Sequence, residues 1–125
     1  MTQESRLEGE ALQRKMLGSS PAFTGSATAA EFMSDFIQEH IFGELWQRIA
    51  LDLRTRSLCT IAAIVANGAL EDPLKNHVRG ARANGASDEE ILEVIIHTAF
   101  YCGLPVLTAS LRAANEALQV EENRK

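Results

Sequence analysis

Cysteine, proline and aromatic residues are scarce in this 125-residue chain, and each scarcity closes off a class of structure. Two cysteines cannot build a disulfide framework. Cys59 and Cys102 stand 43 positions apart, fit neither a C-x-x-C nor a zinc pattern, and read as buried thiols of a reducing compartment. Three prolines and eight glycines exclude a collagen-like or Pro-rich chain. Valine is also sparse, at five, and no stretch alternates in the manner of a strand. No apolar run approaches the roughly 18 residues that span a bilayer. Basic residues number 12 against 17 acidic ones, so a net charge of −5 argues against nucleic acid and anionic membrane as partners. The first residues, MTQESRLEGEALQRK, lack the apolar core of a signal peptide, which predicts a cytoplasmic protein.

What is abundant is alanine, at 18, and leucine, at 14, both strong helix formers. The length fits one domain, residues 1–125, with an N-terminal helix and loop over 1–27 and a core over 28–120. Residues 3–17 read as a helix and 18–27 (GSSPAFTGSA) as a loop. Thr28 with Glu31 predicts a capping box ahead of Phe32, Met33, Phe36, Ile37 and Ile41, with an end or kink at Gly43. Asp52 predicts the cap of a helix whose stripe is Leu58, Ile61, Ala62, Val65 and Ala69, closed by Asn67-Gly68. Asp72-Pro73 predicts a new start, and Gly85 a left-handed cap near Asn84. Ser87 with Glu90 predicts a second capping box, opening a helix over 88–102. That helix is apolar on most of its circumference, which predicts burial on more than one side and a subunit interface. Gly103 and Pro105 break it, and a last helix covers about 105–120 before a fraying tail, EENRK. The expected fold class is therefore all-α, about six helices, compact and oligomeric.

Three groups of side chains carry chemistry. Glu93, His97 and Tyr101 fall at i, i+4, i+8; acid–base work is one reading, and a satisfied buried network or an interface hydrogen-bond ladder is the commoner one. His77 sits beside Gly80 and Ala81, on a face that leaves room for another helix or a ligand. His40, Glu44 and Arg48 share a row if the helix survives Gly43, with Trp46, Arg54 and Arg56 nearby. Guanidinium forks of that kind suit a dicarboxylate, and a surface ion-pair network is the alternative. The three histidines lack H-E-x-x-H spacing, so no metal site is expected. There is no G-x-G-x-x-G, P-loop or G-x-S-x-G, which favours a chemistry without a cofactor.

Two segments, GELWQRIALDLRTRSLCTIAAIVANG and LKNHVRGARANGASDEEILEVIIHTAFYCGLP, resemble the carboxymuconolactone decarboxylase family of the alkylhydroperoxidase D-like superfamily. The resemblance covers about residues 30–118. His40, Gly43, Trp46, Arg48, Arg56, His77, Arg79, Tyr101, Gly103 and Pro105 match its pattern. It implies a compact helical fold assembled in rings, as a trimer or a hexamer of the trimer-of-dimers kind. It also implies cofactor-free decarboxylation of 4-carboxymuconolactone to 3-oxoadipate enol-lactone, in protocatechuate (aromatic compound) catabolism. His77, Glu44 and Tyr101 are then the implied catalytic residues, and Arg48, Arg56, His40, Trp46 and His97 the implied substrate-binding ones. The peroxidase branch requires C-x-x-C ahead of the histidine, where this chain has Leu70 and Pro73, so a thiol peroxidase is disfavoured. Ile49-Ala50, Pro73 and His97-Thr98 depart from the family pattern. Two other expectations therefore stand beside the lactone decarboxylase: a related enzyme for another cyclic acid, and a non-catalytic oligomeric binding protein.

Overall fold

The computed structural model describes residues 2–18, 27–68 and 71–123. Among them the fold is all-α, with six helices and no strand. The helices are α1 (Gln3–Leu17), α2 (Ala27–Phe36), α3 (Leu53–Ala66), α4 (Glu71–Ala83), α5 (Asp88–Cys102) and α6 (Leu104–Asn123). A π-helical turn, Ile37–Phe42, continues α2, and a 3₁₀ turn, Leu45–Gln47, follows it. The chain divides into two compact units, Met1–Leu51 and Asp52–Lys125.

In the first unit, α1 is capped by Thr2, whose hydroxyl accepts from the Ser5 N–H at 3.0 Å. Its buried face is Gly9, Leu12, Gln13 and Met16, and the π turn packs along it. Gly9 is the reason for the close approach. A methyl group there would stand 2.7 Å from the Gly43 nitrogen and 2.8 Å from the Phe42 carbonyl carbon. Phe42 and Trp46 close this small core, with ring centroids 5.8 Å apart. Arg6 ties the elements at the surface through Glu39 at 3.1 Å and Glu10 at 3.5 Å. Helix α2 begins one residue before Thr28, so Thr28 lies inside it rather than capping it. The predicted end at Gly43 holds: the π turn stops at Phe42. Most of the predicted loop, residues 19–26, lies outside the described residues.

The second unit is built on the seam between α3, α4, α5 and α6. Asp52 caps α3 as predicted, accepting from the Thr55 N–H at 2.7 Å, and that bond holds its carboxyl below the usual range. The core face of α3 is Ser57, Ile61 and Val65; Leu58 and Ala62 flank it, and Ala69 lies outside the described residues. Helix α4 starts at Glu71, ahead of the predicted Asp72-Pro73 restart, so Pro73 sits in its first turn, where an amide hydrogen has no helical partner. It ends in a Schellman motif: Ala86 N–H bonds the Ala81 carbonyl at 2.9 Å, and Gly85 N–H bonds the Arg82 carbonyl at 3.1 Å. Gly85 has φ 97°, the left-handed geometry that glycine tolerates. Ser87 and Glu90 then form the complete predicted capping box.

Helix α5 presents Ile91, Ile95 and Ala99 to the core. Helix α6 answers with Ala113, Ala114 and Ala117, small enough to bring it close to α4 and α5. It runs on to Asn123, so residues 121–123 of the expected fraying tail are helical. Glu90 links α5 to α3 by accepting from Arg54. Lys75 links α4 to α6 through Glu116 at 2.7 Å. Both cysteines are exposed, against the expectation that they are buried. Cys59 is two residues past Ser57, on the side of α3 away from the core, and Cys102 is the last residue of α5.

Gly9→Ala should reverse the usual helix preference for alanine. Overpacking against the Phe42–Gly43 backbone should cost about 1–3 kcal/mol, read by chemical denaturation. Unchanged or raised stability would show that this contact does not constrain α1.

Candidate active site

The predicted site residues fall into two groups, one in each unit. In the first unit the π turn and its exit carry His40, Glu44, Trp46 and Arg48. The helix does not survive Gly43, so the predicted row is interrupted. His40 and Glu44 nonetheless meet: His40 Nδ1 lies 3.0 Å from Glu44 Oε1. The Phe36 ring tilts against the imidazole, centroids 5.4 Å apart. Both members of the pair are half-exposed, at 53% and 55%. Arg48 is exposed and caps the 3₁₀ turn with extended backbone. Trp46 is only 3% exposed, so it supports this segment from inside.

In the second unit His77 lies at the edge of the α4 core face, between buried Leu74 and Val78. Burial pushes its pKa below the ordinary 6.5, favouring the neutral imidazole. Arg56, on α3, is buried and engaged. The neighbouring Ser57 hydroxyl accepts from Asn84 Nδ2 at 2.9 Å, joining α3 to the end of α4. Arg54, one of the predicted guanidinium forks, is committed to Glu90. Arg79 donates to Asn76 on its own helix at 3.3 Å.

The Glu93–His97–Tyr101 row is not a buried network within the chain, because all three residues are exposed. Helical spacing put them in line, but the core face of α5 is the row Ile91–Ile95–Ala99. His97 and Tyr101 do approach, with ring centroids 5.7 Å apart, and Tyr101 is 85% exposed. Of the departures from the family pattern, Ile49 is almost fully exposed and Thr98 bonds back to the Val94 carbonyl. Among the described residues, no group of three or more His, Cys, Asp or Glu could hold a metal ion. None of the described helices is long and apolar enough to cross a membrane.

The family profile described as "Carboxymuconolactone decarboxylase family" matches residues 33–116. The chain belongs to the carboxymuconolactone decarboxylase family. Its match spans the π turn, the capped start of α3, His77 and the whole of α5. The chain is 34% identical over 123 residues to a 4-carboxymuconolactone decarboxylase of Acinetobacter baylyi, covering 95% of this chain and 91% of that relative. It is 37% identical over 101 residues to a nitrosuccinic acid decarboxylase of Metarhizium robertsii, covering 78% and 70%. It is 40% identical over 82 residues to an uncharacterized 15.0 kDa protein of Paracoccus denitrificans, covering 65% and 61%.

Two features of the candidate site are not legible in the pattern of residues. One is the π turn that carries His40: single turns of this kind have no simple periodic signature, although they recur at functional sites. The other is Gly9, which lies outside the matched segment and sets the distance between α1 and that turn.

His77 makes stability depend on pH. Its folded-state pKa lies below the unfolded value of 6.5, so the unfolded chain binds the proton more readily. Its contribution is full above that value and is lost as pH falls through the folded-state value. Thermal unfolding between about pH 7.5 and 5.5 should show a falling Tm in the wild type and a shallower fall in His77→Gln. Parallel profiles would mean that burial of this imidazole carries no protonation penalty.

Proposed function

We propose that this protein is a decarboxylase of a cyclic lactone carboxylic acid, acting on 4-carboxymuconolactone in the catabolism of aromatic compounds. The observation that carries this reading is the similarity to a relative of that name across 95% of the chain. The chemistry needs no cofactor because the substrate is its own electron sink. As the carboxylate leaves, its bonding electrons pass through the ring double bond into the lactone carbonyl, forming an enolate. The protein has three tasks: to hold the spectator acetate carboxylate, to stabilise the enolate oxygen, and to return one proton.

Arg48 or Arg56 is the proposed carboxylate anchor, because a guanidinium keeps its charge and its fork fits two oxygens. His77 is the proposed proton donor or enolate stabiliser. A buried imidazole favoured in its neutral form still donates one N–H, and it gives its hydrogen bond to the oxygen where negative charge develops. Glu44 orients an imidazole and Tyr101 donates a further hydrogen bond. His40, Trp46 and His97 complete the proposed substrate-binding set, with Trp46 acting through the segment it supports. Exposed Phe100, Tyr101 and Leu104, at the junction of α5 and α6, support assembly as a homo-oligomer of trimer or hexamer type. Cytoplasmic location is part of the same proposal, as is function of residues 1–125 as a single domain.

A wider substrate range is the second reading, and the nitrosuccinic acid decarboxylase relative favours it. A nitro group on the carbon that loses carbon dioxide accepts the electron pair as the lactone carbonyl does. The changes at residues 49–50, 73 and 97–98 bear on which acid is used.

Freshly generated 4-carboxymuconolactone and nitrosuccinate should each be mixed with chelator-treated protein and carbon dioxide release followed. Release above the spontaneous rate from the lactone supports the first reading, and release from nitrosuccinate alone supports the second. His77→Gln should lower kcat by about 10²–10³. Full activity in the folded variant would remove His77 from the reaction.

A further inference from the structure

We infer that His40 is a catalytic imidazole, held by Glu44 and Phe36 so that its Nε2 delivers the proton that ends the reaction. The inference rests on the decarboxylase reading and extends it, since that reading leaves open which group delivers the proton.

Three observations carry it. The first is the hydrogen bond itself: with Glu44 ionised, the 3.0 Å contact places the Nδ1 proton between ring and carboxylate. The reactive lone pair then lies on Nε2, which makes no hydrogen bond among the described residues. The second is the placing of the ring. Phe36 rests on it from the preceding turn, so a side chain that is half-exposed has its orientation fixed from two sides. A surface ion pair of ordinary kind holds two long, mobile side chains and fixes little. The third is the backbone. The chain leaves the helix at Gly43, and Glu44 takes φ −119°, so the carboxylate approaches the imidazole from the exit of the π turn.

Charged groups on the elements packed around this turn include Glu4, Glu8, Arg14 and Lys15 of α1 and Glu31 of α2, besides those paired with Arg6. On α1, Arg6 spans Glu10, Asp35 and Glu39. Beyond the 3₁₀ turn, Arg48 is also engaged. Glu44 is the carboxylate bonded to His40.

The step balances. The carbon–carboxylate bond breaks, carbon dioxide leaves, and the electron pair moves through the ring double bond onto the lactone oxygen. The enolate pair then forms a C–H bond at the carbon next to the lactone carbonyl. The Nε2–H bond of the His40 imidazolium breaks, its electron pair stays on nitrogen, and solvent water returns the proton.

The test has two arms. In the first, protein carrying ¹⁵N in its imidazoles is studied by NMR without substrate, with the His40 resonances assigned by their loss in His40→Gln. The Nδ1–H tautomer is expected in the wild type, moving toward Nε2–H in Glu44→Ala. In the second, turnover of the acid that the wild type uses is measured. His40→Ala should lower kcat by about 10²–10⁴, with partial recovery on adding free imidazole, and His40→Gln should fall without recovery. Glu44→Ala should fall less than His40→Ala. Wild-type turnover in both folded His40 variants overturns the inference while leaving the decarboxylase reading intact. An unchanged tautomer in Glu44→Ala removes Glu44 as the positioning residue. Absence of wild-type turnover on either acid overturns the decarboxylase reading, and the proton assigned to His40 with it.

Discussion

Ala81, Ala99, Ala113, Ala114 and Ala117 are all buried where α4, α5 and α6 pack together. Short side chains on facing helices let the backbones come close, and the larger Ile61, Leu74, Ile91 and Ile95 fill the space that remains. A chain with few aromatic residues has little else with which to build a core, so its stability depends on this close fit. Gly9 applies the same device in the first unit, taken to the limit of no side chain at all. Each group of candidate residues depends on such an approach: His77 is largely enclosed where α4 lies in its seam, and His40 stands where it does because α1 admits the π turn.

The helices were legible in the sequence because their ends carry local chemistry. Asp52, Gly85, and Ser87 with Glu90 each act within four residues of the chain, so spacing alone identifies them. The limits of α5 follow from such signals. The candidate site was only partly legible. Residue types and family pattern point to His40, Glu44 and His77, but the contact between His40 and Glu44 depends on a π turn that no periodicity announces. Helical spacing put Glu93, His97 and Tyr101 in one row, yet spacing does not say which row faces the core. Likewise Arg54 and Arg56 look equivalent in sequence. The fold commits the first to Glu90 and buries the second.

The two histidines differ chiefly in solvation. Burial disfavours the charged form of His77, while His40 is half-exposed and hydrogen-bonded to Glu44. In the proposed reaction the electron sink resides in the substrate, and the protein's part is to supply charge and hydrogen-bond donors.

Glu90 gives α5 an unusual kind of cooperativity. One carboxylate oxygen accepts from the Ser87 amide at 3.0 Å and from Arg54 Nε at 3.3 Å. The first turn of α5 and its link to α3 are therefore a single event. Opening that turn releases Arg54, and pulling α3 away uncaps α5. Helix ends commonly fray on their own, ahead of the rest of the molecule. This one is tied to a neighbouring helix, so amide exchange at residues 87–90 is expected to follow the opening of the α3–α5 pair as a unit.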